Sequence, residues 1–484
     1  MMIKRLISIL LIISVIAALC SCSTDSDDTE TVTTPTSPSE TPTTSPQGHQ
    51  ARYTEDGRRI ITIGTWYDKY YFSRHTDIYD DPGIIESDGT PEGDLRIAIA
   101  QKRLDRIREI EQKYNVVLEY VNMTYDGVQE SIRTSVPAGS PDVDIYEVDL
   151  RFAIPYVTRG LAEPLEGLGL AGTDVFTDQS VMKYLRLMGY EETYLFNPTL
   201  SGGTSAYVLS FNLDMINEAG LDDPRDLYDA GEWTWDVWRE YLNALTIDRS
   251  EEGLPDIYGW SGYWTHLLHN LLFSNNAAIA AGETETLSST ATMEVLEFIN
   301  TIYNIDMTAR PWDESNWDIN NRLYSEGLSA FWVGADWLFQ EQGGADLPFE
   351  IGVVPWPCGP NGDDITNTLS MPANLWYFIP RGVEDARLVY DVLYDWVNWY
   401  DGDMDLGADN DWSRRMYMSD RNYHYAAMMA AKPGLDLWES LGRSFVFDLV
   451  GLITGRETAE NIVRNYQNEY QNALDLFFGK TPNG

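Results

Sequence analysis

The first well-patterned stretch of the chain alternates strands with helices, and this order restricts the fold more than any other feature. Residues 59–66 alternate toward a buried strand and end in aromatic side chains. A helix is predicted at 96–114, where apolar residues recur every three or four positions among charges. A strand at 115–121, a helix at 128–136 and a strand at 143–148 follow. This β-α-β-α-β order predicts an α/β fold with a mostly parallel sheet covered by helices.

Helices predominate after residue 211, but strand patterns return late, at 352–355 and 375–379. The main helices are predicted at 234–245 with Thr234 as the N-cap, at 293–303, at 383–400 and at 458–477. A chain with roughly 430 residues after its N-terminal segment is too long for one core and suits two large lobes. The late strands indicate that the chain crosses between these lobes more than once.

Residues 1–21 have the layout of a secretory signal peptide. Lys4 and Arg5 precede an apolar stretch at 6–19, which is shorter than the roughly 20 residues that span a bilayer. The tetrapeptide Leu19-Cys20-Ser21-Cys22 resembles a lipobox. We therefore expect cleavage before Cys22 and lipidation of that cysteine by acyl chains such as palmitate, with plain secretion as the alternative.

Residues 22–56 are rich in Ser, Thr and Pro, and this composition predicts a disordered tether. Coil statistics give it a reach of roughly 30 Å from the cell membrane. Beyond the signal region Cys358 is the only cysteine, so a chain with an acylated Cys22 has no intrachain disulfide. An exported protein without disulfides suits the outer surface of a Gram-positive bacterium.

The charge balance and the motif content argue against several function classes. With 33 basic and 76 acidic residues, the chain carries a formal net charge of −43. Nucleic acid, polyanions and anionic lipid headgroups are poor partners for such a charge. The sequence has no G-x-S-x-G elbow, phosphate loop or dinucleotide fingerprint, and nothing marks out a pair of hydrolytic carboxylates. We expect neither catalysis nor a cofactor.

The 16 Trp and 29 Tyr residues favour a cleft that stacks on flat ligand faces.

Two patterns resemble metal sites, and neither is complete. His266 and His269 lie three residues apart, but none of the other three histidines has the spacing of a third ligand, so a core or cleft-edge position is favoured for both. The acidic stretch 401–411 places oxygens at alternate positions, as a calcium loop does, with Asp401, Asp403, Asp405 and Asp409 as the weak candidate ligands. Leu406 takes the glycine position of that pattern, and Trp412 replaces its closing glutamate. A solvated acidic loop is therefore the favoured interpretation.

A series of short motifs occurs in the order seen in one known family. The matching segments are 114–119, Ser140-Pro-Asp-Val-Asp-Ile-Tyr146, Gly160-Leu-Ala-Glu-Pro-Leu165, 211–221 with Trp235, 327–337, 352–362 and 455–460. The most specific of them is Phe211-Asn-Leu-Asp-Met-Ile-Asn-Glu-Ala-Gly-Leu221. Over roughly residues 58–475 the chain thus resembles the extracellular solute-binding proteins of carbohydrate ABC transporters, which include maltodextrin-binding proteins. The stretch after Trp66 and residues 166–202 depart from the family pattern.

The resemblance implies an α/β, two-lobe, periplasmic-binding-protein-like clamp (type II) with three hinge crossovers near 205–210, 370–376 and Tyr400. The N-terminal lobe would comprise 57–205 with 376–399, and the C-terminal lobe 206–375 with 400–484. A monomer of this kind would capture a carbohydrate, preferably an oligosaccharide, between closing lobes and deliver it to an ABC permease. Two alternatives stay open: a surface lipoprotein that captures or senses glycans without import, and a protein for a non-sugar solute such as a peptide or a polyamine.

The candidate ligand contacts lie at strand ends, at crossovers and at family-matched positions. Trp66, Tyr67 and Asp68 end the first strand, and Asp149 ends the third. Trp260, Tyr263 and Trp264 lie in an aromatic loop at 258–264 that its glycines loosen. Tyr207, Asn374 and Trp376 lie at the crossovers, and family analogy adds Trp332, Asp336 and Trp337.

Other roles remain open for these residues. Core packing is the alternative for the aromatic side chains, hinge packing for Tyr207, and a solvated loop for Asp68. Four tryptophans at helical spacing are expected in the core instead: Trp235, Trp238, Trp396 and Trp399.

Overall fold

The computed structural model describes residues 51–66, 91–171, 185–186, 189–196, 205–250, 253–313, 319–342, 346–365, 368–371, 373, 375–400, 402, 411–434 and 449–480. All of these residues belong to one compact unit, Pro46–Gly484. No helix within these ranges combines the length and the apolar character that crossing a bilayer requires.

The strands in these ranges are β1 (Arg52–Tyr53), β2 (Arg59–Thr65), β3 (Val116–Asn122), β4 (Ile145–Val148), β5 (Val208–Asn212), β6 (Tyr258–Ser261), β7 (Ala280–Ala281), β8 (Thr284–Glu285), β9 (Ser329–Gly334), β10 (Ile351–Val354) and β11 (Trp376–Phe378). The α-helices are α1 (Pro91–Tyr114), α2 (Tyr125–Thr134), α3 (Leu150–Thr158), α4 (Leu213–Glu218), α5 (Pro224–Asp229), α6 (Trp235–Leu245), α7 (Trp264–Ser274), α8 (Thr290–Asn300), α9 (Ile319–Ser325), α10 (Asp336–Glu341), α11 (Ala386–Val397), α12 (Asp411–Met416), α13 (Asp420–Ala430), α14 (Leu449–Ile453) and α15 (Ala459–Phe477). A 3₁₀ turn occupies Leu165–Leu168, and a π-helical turn at Thr301–Ile305 continues from α8.

The first sheet confirms the predicted parallel arrangement, with β2 at its centre. Strand β3 pairs parallel to β2 along its whole length, from Arg59 to Thr65. Strand β4 pairs parallel to the carboxyl half of β2, and the late strand β11 adds antiparallel to β4. Helices α1 and α11 pack on one face of this sheet, and α2 and α3 pack on the other. Both faces are therefore covered, as parallel strands joined by helices require.

The second sheet has the strand order β10-β5-β9-β6, in which β6 and β9 are parallel and the other pairs antiparallel. The interpretation of 258–264 as a loop is wrong for its first half, because Tyr258–Ser261 form β6. Glycine is needed inside this strand, since a Cβ atom on Gly259 would lie 2.6 Å from the carbonyl oxygen of Leu242 in α6. This glycine therefore permits a close approach of strand and helix rather than loosening a loop.

The described strands and helices imply three connections of the chain between the two sheets. The first runs from Phe196, which bridges to β11, to β5, and the second runs from β10 to β11. The third runs from α11, on the first sheet, to α13, whose Asn422 accepts the amide of Val353 in β10. The residue-level boundaries of the two lobes stay predictions.

Backbone hydrogen bonds join the first two connections. The Tyr207 amide donates to the Met371 carbonyl at 2.9 Å, and the Ala373 amide donates to the Ser205 carbonyl at 3.1 Å. We call residues 205–207 together with Met371 and Ala373 the crossover pair. Its two segments run antiparallel, so the chain leaving the first sheet lies directly against the chain returning to it.

Polar side chains set several helix starts. As predicted, Thr234 caps α6, where its hydroxyl accepts the Val237 amide at 3.4 Å. The helix predicted at 293–303 begins earlier, because Ser289 accepts the Thr292 amide at 3.2 Å and so starts α8. The last residues of that predicted helix form the π-helical turn instead of ordinary helix.

A buried ion pair holds β2 to the start of β4. Arg59 Nη2 donates to Asp144 Oδ1 at 2.8 Å, and the two side chains are only 6% and 2% exposed. The other carboxylate oxygen accepts from both the amide and the hydroxyl of Thr62 at 2.9 Å. Asp144 thus accepts hydrogen bonds from three donors on β2, and one of these is a guanidinium with little access to water.

Asp144→Ala should lower the free energy of unfolding by about 3–5 kcal/mol, because it leaves the Arg59 guanidinium buried without its partner. The measurement is the midpoint of urea denaturation followed by far-ultraviolet circular dichroism. The control is Asp56→Ala, which removes the partner of the neighbouring Arg58 from an exposed pair and should leave the midpoint unchanged. Equal midpoints for the two variants would contradict a stabilising role for the Arg59 pair.

Candidate functional site

The carboxyl end of β4 in the first sheet and that of β9 in the second sheet lie close to the crossover pair. In the first sheet, Trp376 at the start of β11 lies opposite Val148 at the end of β4. Ala373 of the crossover pair precedes Trp376 by a stretch of chain that spans at most roughly 11 Å. In the second sheet, Tyr207 directly precedes β5, whose first residue pairs with Gly334 at the end of β9. Ligands of open α/β sheets bind outside the carboxyl ends of strands, so this junction is the candidate site.

Three aromatic rings lie at the carboxyl edge of the first sheet, and we call them the N-terminal aromatic cluster. Trp66 follows β2, Tyr125 begins α2, and Phe152 lies in the first turn of α3. The Trp66 ring packs edge-on against Tyr125 and Phe152, with ring centroids 5.5 and 6.2 Å away. Tyr125 is 41% exposed, and the other two rings are half-buried. Aromatic surface is therefore available at this edge.

Four rings lie at the corresponding edge of the second sheet, and we call them the C-terminal aromatic cluster. Tyr207 stacks on the His266 imidazole, with ring centroids 3.9 Å apart and planes inclined by 20°. Tyr263 packs edge-on against His266 at 5.3 Å, and Trp337 packs edge-on against Tyr207 at 6.4 Å. All four rings are half-buried. Each ring is held by another ring and still keeps part of its surface accessible.

Asn321 in α9 connects this cluster to the core of the second sheet. Its side-chain amide donates to the Tyr263 hydroxyl at 3.0 Å, and its carbonyl oxygen accepts from Trp332 Nε1 at 2.9 Å. Asn321 is 1% exposed, and Trp332 is stacked on Tyr324 beneath it. Burial raises the pKa of Tyr324, so this hydroxyl stays protonated at physiological pH. One buried amide thus fixes the position of a partly exposed ring.

Three of the predicted ligand contacts lie inside hydrophobic cores. Trp260 and Trp332 are fully buried, and Trp376 is 1% exposed. Trp260 packs between Trp238 and Trp356, with ring centroids 6.0 and 5.9 Å away. In this conformation these rings offer no face to a ligand. The expected core tryptophans Trp235, Trp238 and Trp396 are confirmed as buried, whereas Trp399 is half-buried.

The predicted carboxylates have different surroundings. Asp149 is the half-buried N-cap residue of α3, and its backbone carbonyl accepts the Phe152 amide at 3.0 Å. Asp336 begins α10 and is 2% exposed, with Ser205 Oγ and Ser413 Oγ donating to its two oxygens at 2.8 and 2.7 Å. Burial, followed by the charge of this carboxylate, raises the pKa of Tyr417 well above its usual value. Asp336 is therefore part of the protein interior.

Of the remaining predicted residues, only Trp264 lies within the described part of the chain. Trp264 begins α7, where it is half-buried and packs edge-on against Trp312 with centroids 6.5 Å apart. Tyr67, Asp68, Asn374, the lipidation candidate Cys22 and the calcium candidates Asp401, Asp403, Asp405 and Asp409 lie outside the described residues. Within the described residues, no group of three or more His, Cys, Asp or Glu side chains is arranged to hold a metal ion.

Sequence reasoning missed Tyr125, Phe152, His266 and Asn321. Tyr125 and Phe152 carried a usable signal, because each closely follows the end of a parallel strand, where ligands collect. For His266 the favoured interpretation was a core or cleft-edge position, but its stacking on Tyr207 was not predicted. Asn321 carried no signal, since its partner Tyr263 is 58 residues away in the chain.

Comparison with known proteins places the chain among binding proteins. The model of the bacterial extracellular solute-binding protein family matches residues 97–400. A Brucella abortus protein whose name calls it a binding protein is 22% identical over 333 residues, covering 63% of this chain and 73% of that protein.

Solved structures share the fold at low identity. An ABC substrate-binding protein of Listeria monocytogenes in complex with cycloalternan has a TM-score of 0.59 and 12% identity, covering 87% of this chain and 99% of that one. The maltose/maltodextrin-binding domain of Bdellovibrio bacteriovorus bound to maltotriose has a TM-score of 0.55 and 13% identity, covering 85% and 98%. UgpB of Mycobacterium tuberculosis in complex with glycerophosphocholine has a TM-score of 0.57 and 15% identity, covering 78% and 95%. These likenesses confirm the predicted two-lobe, periplasmic-binding-protein-like α/β fold.

Asn321→Ala should lower the free energy of unfolding by about 1–3 kcal/mol, because it leaves the indole N–H of Trp332 buried without an acceptor. The matched control is Asn217→Ala, which changes an exposed asparagine of α4. The measurement is the urea denaturation midpoint, which we expect to fall for the first variant and stay the same for the second. A common midpoint would show that the Asn321 bridge does not stabilise the lobe.

Proposed function

Because this chain belongs to the family of bacterial extracellular solute-binding proteins, we propose that it captures a carbohydrate, preferably an oligosaccharide, between its lobes and delivers it to an ABC permease. The protein itself performs no catalysis in this proposal. It binds its ligand reversibly and works as a monomer.

The observation that carries the proposal is that each sheet has an aromatic cluster at the edge that leads into the crossover pair. A sugar ring has an apolar face and a rim of hydroxyl groups, so its site needs aromatic planes together with polar atoms. The N-terminal cluster offers Trp66 and Tyr125, and the C-terminal cluster offers Tyr207 and Trp337. The tyrosine hydroxyls add donors and acceptors among these planes.

The similar solved structures support a carbohydrate ligand for this protein, although one of them was solved with a different kind of solute. The Listeria and Bdellovibrio proteins were solved with cycloalternan and maltotriose, whereas the Mycobacterium protein was solved with glycerophosphocholine. The same fold therefore accommodates more than one ligand class. A non-sugar solute is the second candidate, and the binding experiment is designed to separate the two.

Closure follows from where the two clusters lie. They belong to different sheets, and the three connections between those sheets are the places where one lobe turns against the other. A ligand that touches both clusters binds the closed arrangement better than the open one, and this difference drives closure. The closed form is the one that we propose docks on the permease.

The lipid anchor gives this clamp its place in the cell. We propose that Cys22 carries the anchor on the outer face of the cell membrane of a Gram-positive bacterium. The tether at 22–56 then keeps the clamp within reach of the permease.

Cys22→Ala should release the protein into the medium, whereas the unaltered protein should sediment with membranes. Equal partition of both forms would contradict the anchor.

The test of ligand class uses the purified full-length protein and six probes: cycloalternan, maltotriose, acarbose, glycerophosphocholine, tetra-alanine and spermidine. We expect a saccharide to raise the melting temperature, since a ligand at 100 times its Kd stabilises the folded state by about 2.7 kcal/mol. Mass spectrometry after prolonged incubation should recover the saccharide uncleaved. A shift with one of the last three probes and none with the saccharides would refute the carbohydrate proposal.

Variants locate the site with the saccharide that binds. Trp66→Ala and Tyr207→Ala should each weaken binding about tenfold or more in calorimetry, because each removes an aromatic platform. Tyr53→Ala is the control, since Tyr53 is 58% exposed and lies beside the amino end of β2, away from the crossover pair. Its affinity should equal that of the unaltered protein. Unchanged affinity in Trp66→Ala and Tyr207→Ala, or a loss of the same size in Tyr53→Ala, would contradict this location of the site.

A further inference from the structure

Asp336 connects the crossover pair to the C-terminal aromatic cluster through a single oxygen atom. Its Oδ1 accepts from the Ser205 hydroxyl at 2.8 Å and from the backbone amide of Trp337 at 2.9 Å. Ser205 belongs to the crossover pair, and Trp337 packs on Tyr207, two residues after Ser205. The two segments that carry Tyr207 and Trp337 therefore meet at one atom.

The second oxygen attaches this junction to a more distant part of the chain. Asp336 Oδ2 accepts from Ser413 Oγ at 2.7 Å. Ser413 lies in α12, inside the third connection, which runs from α11 to α13. The carboxylate thus contacts the first connection through one oxygen and the third through the other.

The surroundings of Asp336 indicate a residue that holds segments of the protein together rather than one that contacts a ligand. The residue is 2% exposed, and its partners in the described part of the chain are two hydroxyls and one amide, none of them charged. Burying a carboxylate without a cation is costly, and hydrogen bonds to a charged acceptor offset that cost only in good geometry. With both oxygens occupied by protein donors, the side chain is committed to holding its neighbours.

We propose that Asp336 is a positioning residue that holds Trp337 in register with Tyr207 and the crossover pair, so that the two rings form one binding surface. The link to affinity rests on the proposed function. The positioning itself is a property of the protein without ligand. Asp336 thereby affects ligand binding only through the position of Trp337 and does not contact the ligand itself.

The test compares two buried serines of one segment. Ser205→Ala removes the hydroxyl that joins the crossover pair to Asp336. Ser210→Ala is the matched control, because Ser210 is also buried and donates at 2.6 Å to Tyr324, which is not a partner of Asp336. Each change removes a buried hydroxyl together with the hydrogen bond that it donates, so a purely structural role predicts a loss of stability in both variants and no specific effect on the Trp337 ring.

The readout is fluorine NMR of the full-length protein labelled with 5-fluorotryptophan, without ligand. Trp337→Phe assigns the Trp337 resonance. We expect Ser205→Ala to shift or broaden that resonance, and Ser210→Ala to leave it in place while lowering the melting temperature. If Ser205→Ala leaves the resonance unchanged, or if Ser210→Ala changes it equally, the inference is wrong.

A conservative variant gives a second test. Asp336→Asn keeps an oxygen at the Oδ1 position, where Ser205 and Trp337 donate, and places an amide where Ser413 can accept. It should therefore preserve the Trp337 resonance, whereas Asp336→Leu should alter it. If Asp336→Asn displaces the Trp337 resonance as far as Asp336→Leu does, the positioning role of Asp336 is wrong.

Affinity separates this inference from the proposed function. For the saccharide that binds, Ser205→Ala should raise Kd about tenfold through lost preorganisation, and Ser210→Ala should leave it within about twofold. If no saccharide binds, the proposed function fails while the fluorine result still decides the positioning role. If a saccharide binds with equal Kd in both variants, the positioning role fails while the proposed function stands.

Discussion

The two backbone hydrogen bonds of the crossover pair are the constraint on which the rest of the structure depends. They hold the chain that leaves the first sheet against the chain that returns to it, at 2.9 and 3.1 Å. Residues 205–207 lead directly into β5, and Ala373 lies three residues before β11, so the pair joins the sheet edges at which these two strands begin. The aromatic clusters occupy those edges. The position of each cluster relative to the crossover pair therefore follows from how the chain connects the two sheets.

Two buried carboxylates stabilise this arrangement by different physical means. Asp144 is paired with a guanidinium, and it holds neighbouring strands of one sheet where no movement is required. Asp336 is held by hydroxyls and an amide, and it lies where the lobes are connected. Hydrogen bonds from hydroxyls are individually weaker than a buried ion pair and are re-formed more easily after a small displacement. The stronger interaction thus belongs to the sheet, and the more adaptable one to the junction.

Sequence reasoning separated the tryptophans only in part. The helical spacing of Trp235, Trp238 and Trp396 correctly predicted core positions, because an amphipathic helix repeats its buried face every turn. Trp260 and Trp332 lie in short strands whose residues are almost all buried, and β9 is buried at every position. Such strands show no alternation, so their sequences contain no sign of which side chain turns toward the site.

The sequence by itself determined the order of strands and helices, the Thr234 cap and the strand end at Trp66 where an aromatic site was expected. Each of these depends on contacts within a few residues or on one repeating face. Only the tertiary structure decided which rings keep exposed surface, and that Asn321 and Asp336 position them. Asn321 reaches a partner 58 residues away, and Asp336 reaches one 131 residues away. Contacts over such separations exist only after the two sheets have packed and the crossover pair has formed, so no local pattern records them.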